Sequence, residues 1–267
     1  MSYSLTWLPS VLLNAGLKVA EVDGWQTRGH GDVCATFGVL CHHTAGSRRG
    51  NMPTLNILVN GRPDLPGPLS QLGLGRDGTF YILAAGRCNH AGKGIWKGLV
   101  NGNSNFIGIE AENTGRADDF PWPEVQMEAY KRGVAAILKY INRSEEYCAG
   151  HKEYALPAGR KPDANFDMHE FRSGVKAILN GTATPFKPIP AEEPADAGST
   201  KPPRPTIRRG STGPHVEAIQ KKLKLGVDGK FGPGTEAAVR EFQRQSGVVP
   251  DGIIGPKSWK ILDAIQA

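Results

Sequence analysis

The feature that most restricts how this chain can fold is the run from Thr182 to Thr206, TATPFKPIPAEEPADAGSTKPPRPT. It holds seven of the chain's 20 prolines and only one aromatic residue. Proline removes a backbone donor and fixes φ, so the run reads as an extended, semi-rigid tether rather than part of a core. The 267 residues therefore divide into two domains, of about 180 and about 60 residues. At 39% hydrophobic and 22% charged, the chain is too apolar for wholesale disorder. No apolar run approaches the ~20 residues of a membrane span, and no stable membrane insertion is expected. The opening MSYSLTWLPSVLLNAGLKVAEVDGW lacks a basic stretch ahead of an apolar one and a clear cleavage site. Synthesis in a cytoplasm without a signal peptide is the expectation.

The short domain, residues 207–267, contains an internal repeat. GVDGKFGPGTEAAVREFQ and VPDGIIGPKSWKIL share Asp-Gly-x-apolar-Gly-Pro followed by a helix-like stretch. Glycine supplies the turn, and Pro233 and Pro256 stand where a first helical turn tolerates a missing N–H. Val216, Ile219 and Leu223 fall on one helical face, and Ala238, Val239 and Phe242 on another. A compact three-helix unit follows. This stretch has ten Lys/Arg against six Asp/Glu, so it carries +4 of the formal net charge of +6. A basic balance suits a polyanionic partner or a solubilising surface, and both stay open.

The large domain mixes periods. Thr36–Cys41 reads as a buried strand, Thr79–Leu83 as a strand after a turn at Arg76–Gly78, and Phe106–Ala111 as another strand. Pro123 to Arg143 carries Tyr130, Val134, Ile137, Leu138 and Ile141 at helical spacing. The fold class expected is α/β, a mixed central sheet flanked by helices, plus the small three-helix domain. Leu8 to Ala15 reads as a short helix, and residues 1–28 as a segment capping the larger core. Cys34, Cys41, Cys88 and Cys148 form no CxxC pair, so reduced, buried thiols are expected rather than a disulfide scaffold or zinc knuckle.

Three polar groups sit near strand ends. GVLCHHTAGS places His42 and His43 after an apolar strand; IGIEAEN puts Glu110 and Glu112 on one face by alternation; AGHKEYALPAGRKPDANFD carries His151, Lys161 and Asp163 in a Gly/Pro-rich loop. Two imidazoles and a carboxylate make a three-ligand zinc site with a fourth position for water. No HExxH helix is present, so such a site must be assembled from distant segments. Taken singly, each residue has a plainer reading: a hydrogen-bonded histidine, a solvated strand carboxylate, a turn or capping aspartate.

From Gly29 to Asn180 these motifs, in this order, resemble the zinc-dependent N-acetylmuramoyl-L-alanine amidase family, which includes phage amidases and peptidoglycan recognition proteins. The shared features are the strand ending in His, the Ile-Gly-Ile-Glu strand and the late His followed by Gly-Arg-Lys-x-Asp. The resemblance implies zinc held by His42, His151 and Asp163, with Glu110 as the catalytic carboxylate and Lys161 beside the scissile carbonyl. It gives His43 no ligand role, leaving it either behind the ligands or purely structural, and sets His90, in CNHAGKG, near the substrate groove. The repeat unit resembles a peptidoglycan-binding domain. The domains implied are a catalytic domain over 29–181, a Pro-rich linker over 182–206 and a wall-binding domain over 207–267. The activity implied is cleavage of the amide between N-acetylmuramic acid and L-alanine, in a monomer whose partner is bacterial peptidoglycan and not nucleic acid. A phage endolysin, made in the host cytoplasm and acting on the wall after release, is the role expected. A non-catalytic peptidoglycan receptor and a zinc peptidase cutting the stem peptide are the alternatives.

Overall fold

The computed structural model describes residues 2–33, 35–184, 204–246 and 252–264. Cys34 and most of the expected tether lie outside these residues. The chain divides into two compact units, Met1–Ile189 and Pro190–Ala267.

The first unit is built on a six-stranded sheet. Its strands are β1 (Lys18–Glu21), β2 (Gly38–His43), β5 (Leu72–Leu74), β6 (Thr79–Ile82), β7 (Phe106–Ala111) and β8 (Cys148–Gly150), in the order β1-β6-β5-β7-β2-β8. A separate two-stranded ribbon, β3 (Gly61–Arg62) with β4 (Leu65–Pro66), lies between α2 (Leu55–Asn60) and β5. β5 and β6 pair antiparallel, and every other pairing in the large sheet is parallel. β2 lies between β7 and β8 and is buried at all six positions, which explains its unbroken apolar run: a parallel strand covered on both faces has no solvent side to alternate toward. It extends two residues past Cys41, so His42 and His43 belong to the strand.

One face of the sheet packs on α1 (Leu8–Asn14), α4 (Glu124–Tyr140) and α6 (Met168–Leu179). The core there joins Val39, Cys41, Ile107 and Ile109 to Tyr130, Val134, Ile137 and Leu138 of α4. α4 comes very close to the sheet at Gly133, where a Cβ would lie 2.3 Å from Phe80 Cζ. Asp167 starts α6 by accepting from the N–H groups of His169 and Glu170. The other face carries a smaller cluster of Leu40, Phe106, Ala149, Ala91 and Tyr154, beside α3 (Gly102–Asn105) and α5 (His151–Tyr154). The first 28 residues are more than a cap. Leu5, Leu8 and Leu12 enter the main core, and β1 pairs with β6 as an edge strand of the sheet.

The second unit contains α7 (Pro214–Lys222), α8 (Pro233–Gln245) and α9 (Pro256–Ala264) around Val216, Ile219, Phe231, Val239, Phe242, Ile254, Trp259 and Leu262. The repeat has a polar lock that its sequence did not announce. Gln220 on α7 accepts from the N–H groups of Asp228 and Gly229 and donates to the Lys230 carbonyl. Gln243 on α8 accepts from Gly252 N–H and donates to the Ile253 carbonyl. Gly229 in the first repeat and Gly252 in the second are thus each tied to the preceding helix by one buried amide. Among the described residues no helix is long and apolar enough to cross a membrane.

Candidate metal and catalytic site

Parallel pairing brings the carboxyl ends of β7, β2 and β8 to one edge of the sheet. His42 on β2 is in register with Glu110 on β7, so both side chains leave the same face. Gly150 on β8 pairs with Cys41, and the chain turns into α5 at the next residue, which brings His151 beside His42. Asp163 arrives on the loop that follows α5. His42 Nδ1 and His151 Nδ1 stand 3.0 Å apart, and Asp163 Oδ2 lies 3.1 Å from the first and 3.0 Å from the second. All three residues are buried, and the three form a group able to hold a metal ion.

The donor set fits a cation. His151 Nε2 faces the Ala91 carbonyl at 2.9 Å. A carbonyl only accepts, so Nε2 carries the proton and Nδ1 presents a lone pair toward Asp163. Burial, and then the neighbouring His151, lowers the His42 pKa to about 4, which keeps the ring neutral as metal ligation requires. Burial opposes ionisation of Asp163, yet the close approach of the His151 and His42 imidazoles to its Oδ2 holds its carboxyl below the usual range. Two neutral imidazoles and a carboxylate aimed at one point are the ligand chemistry of a zinc site with an open position.

Glu110 flanks this point, with Oε1 3.9 Å from His42 Nδ1. Its Oε2 is buried and has no hydrogen-bond partner. Burial, reinforced by the charge of Asp163, pushes its pKa up to about 8, with Lys161 pulling the other way. Lys161 is half-buried and within electrostatic reach of both Glu110 and His42.

Glu112 does not share the site with Glu110. It lies one residue beyond β7, and its carboxylate is taken up by the hydroxyls of Thr44 and Thr54 and the Thr54 N–H, which tether the 44–54 loop. His90 is buried, with Nδ1 3.1 Å from His42 Nε2 and Nε2 3.2 Å from the Phe106 carbonyl, so both ring nitrogens have partners within the protein. His43 projects from the opposite face of β2 toward Trp122 and is not among the three converging groups.

Sequence reasoning missed the residues that hold the site. Tyr130 was legible as part of a helix face, but its hydroxyl accepts from His42 N–H at 3.0 Å and lies 3.0 Å from the Ile109 carbonyl. Asn103 Oδ1 accepts from the N–H groups of His90 and Ala91, at 2.9 and 2.7 Å. Arg160 donates to the carbonyls of Ala91, Lys93 and Leu156. A polar tip on a core position has no periodicity to betray it.

A buried imidazole-imidazole-carboxylate cluster able to hold a metal ion thus lies at strand ends of a mixed α/β sheet, in a chain that also carries a separate three-helix repeat unit. Residues 35–165 match the family model described as N-acetylmuramoyl-L-alanine amidase, and residues 212–262 the model of a putative peptidoglycan binding domain. The chain thus carries a domain of the N-acetylmuramoyl-L-alanine amidase family, followed in sequence by a putative peptidoglycan-binding domain. Among curated relatives, N-acetylmuramoyl-L-alanine amidase CwlL of Bacillus licheniformis is 31% identical over 176 residues, 62% of this chain and 47% of that protein. A zinc D-Ala-D-Ala carboxypeptidase of Streptomyces albus G is 36% identical over 69 residues, 23% of this chain and 27% of that protein. Of solved structures, the endolysin N-acetylmuramoyl-L-alanine amidase LysCS of Clostridium intestinale is 21% identical, covering 61% of this chain and 95% of that one, with a TM-score of 0.42. The chain spans about half or less of the length of these two curated relatives.

Proposed function

We propose that the protein hydrolyses the amide between the lactyl group of N-acetylmuramic acid and L-alanine in bacterial peptidoglycan, with zinc held by His42 Nδ1, His151 Nδ1 and Asp163. The observation that carries this reading is the convergence of those three atoms beside the unpartnered carboxyl oxygen of Glu110, in a domain of the amidase family. Bound zinc lowers the pKa of a water toward ~7 and polarises the scissile carbonyl. Glu110 accepts the proton of the attacking water and delivers it to the leaving nitrogen as the C–N bond breaks. A pKa raised by burial suits that exchange, because the same carboxyl must first take the proton and then release it. Lys161 supplies a fixed positive charge where the carbonyl oxygen becomes anionic. The products are a lactyl carboxylate and a free L-alanine amine.

The second unit, tethered through the Pro-rich run, keeps the first at a high local concentration on insoluble wall. Mass spectrometry of wall digested by the zinc-loaded chain tests the reading. Intact stem peptides with free L-alanine amines are expected. Cuts within the stem would assign a peptidase instead, and sedimentation with wall without any product would assign a receptor.

A further inference from the structure

We propose that His90 is a positioning residue that fixes the tautomer in which His42 offers Nδ1 to the metal, a role that rests on the metal-site reading above. The chain of donors begins at a backbone atom. The Phe106 carbonyl can only accept, and it lies 3.2 Å from His90 Nε2. In the neutral ring that nitrogen therefore carries the proton, and Nδ1 is bare. The bare nitrogen sits 3.1 Å from His42 Nε2, so His42 donates to it. With its proton on Nε2, His42 presents a lone pair at Nδ1, the atom that faces His151 and Asp163. The opposite tautomer would set two bare nitrogens against each other at 3.1 Å and place a hydrogen where the cation must sit. The first residue of β7 thus decides, through one intervening ring, which atom of His42 is available to a metal.

The neighbouring backbone is arranged to the same end. His151 reaches the equivalent tautomer without an intermediary, through the carbonyl of Ala91, the residue that follows His90. Asn103 Oδ1 accepts from the N–H groups of both His90 and Ala91, so one side chain holds the two positions that orient both imidazoles. Gly108 on β7 provides the space for the His90 ring: a Cβ there would lie 2.7 Å from His90 Cγ. Hydrogen bonds to the remote nitrogen of a ligating histidine typically change metal affinity 10–100-fold when removed.

The test uses the full chain, first without substitution. Long-range 1H–15N spectra of the histidine-labelled protein, metal-free and zinc-loaded, should show both His90 and His42 protonated at Nε2. An Nδ1–H form of His42 in the metal-free protein, or of His90 in either state, would overturn the proposal even if every variant failed to fold. His90→Leu should weaken zinc binding, read by chelator competition, by roughly 10–100-fold. His90→Gln should restore affinity to within a few-fold, since its Oε1 can accept from His42 while its Nε2 donates to Phe106. A Gln variant as weak as the Leu variant would reduce His90 to packing and refute the role. His42→Ala separates the two possible failures. Unchanged zinc affinity there would remove the metal site itself, whereas loss there with no effect of His90→Leu would remove only the part assigned to His90.

Discussion

Tyr130→Phe deletes one oxygen and leaves the aromatic ring of α4 in the core, so its effect isolates what the hydroxyl does. In the folded protein that hydroxyl accepts from His42 N–H at 3.0 Å and lies 3.0 and 3.2 Å from the carbonyls of Ile109 and His42. It thus bridges β2 and β7 at the residues that lead into His42 and Glu110. Tyr130 is fully buried, so no water replaces the lost oxygen, and the His42 N–H is left without an acceptor. An orphaned buried donor costs about 1–3 kcal/mol, and the lost donation to a carbonyl adds about 1 kcal/mol. The first unit should therefore lose about 2–4 kcal/mol in urea unfolding, or on the order of 5–12 °C in Tm for a domain of its size. Zinc affinity should also fall, because His42 loses the contact that anchors its backbone. Tyr140→Phe is the control: that side chain is 55% exposed and stacks on Trp7, so its loss should cost less than about 0.5 kcal/mol. If Tyr130→Phe unfolds with the same midpoint as Tyr140→Phe and binds zinc as the parent does, the hydroxyl does not hold the end of β2.

Asp163→Ala removes the oxygen that lies 3.0–3.1 Å from both imidazoles, and metal analysis should show zinc affinity lowered at least about tenfold; unchanged metal content would exclude Asp163 as a ligand. Glu110→Gln should keep zinc and fold but lose about 10²–10⁴ in turnover on muropeptides, since an amide cannot take the water's proton; near-normal turnover would move the base elsewhere. The same variant has a signature without metal. Glu110 holds its proton in the folded state up to about 8, against 4.5 for the ordinary carboxyl, so between those values the unfolded chain releases a proton that the folded one retains. Stability of the chelated parent should then fall as pH rises through that window, by roughly 3 kcal/mol at pH 7, and Glu110→Gln should flatten the dependence. A parent protein whose chelated stability is level across the window would contradict a burial-raised Glu110. A chain ending at Gly181 keeps every residue of the site and should cleave soluble muropeptides at nearly the full rate but insoluble wall more slowly, as turnover on the two substrates would show; equal slowing on both would mean that the second unit does more than bind wall.

The sequence by itself determined what depends on neighbours along the chain. The Pro-rich run sets a division, the period-2 and unbroken apolar runs mark β2, β6 and β7, and the 3.6 period marks α4. The Asp-Gly-x-apolar-Gly-Pro repeat announces the helices that follow it. Residue types with metal-ligand chemistry were legible for the same reason: imidazole and carboxylate carry their chemistry wherever they stand. Their convergence was not. His42 lies 109 positions from His151 and 121 from Asp163, and only the sheet order β7-β2-β8 sets them within reach. Tertiary structure also separated Glu110 from Glu112, although alternation puts them on one face. β7 ends between them, and Thr44 and Thr54 draw the second carboxylate to another task. His90 shows the same limit. Nothing in its local segment announces that the Phe106 carbonyl and His42 face its two nitrogens. Hydrogen-bond partners, and the tautomers they impose, are set by three-dimensional neighbours, which no local pattern of hydrophobicity encodes.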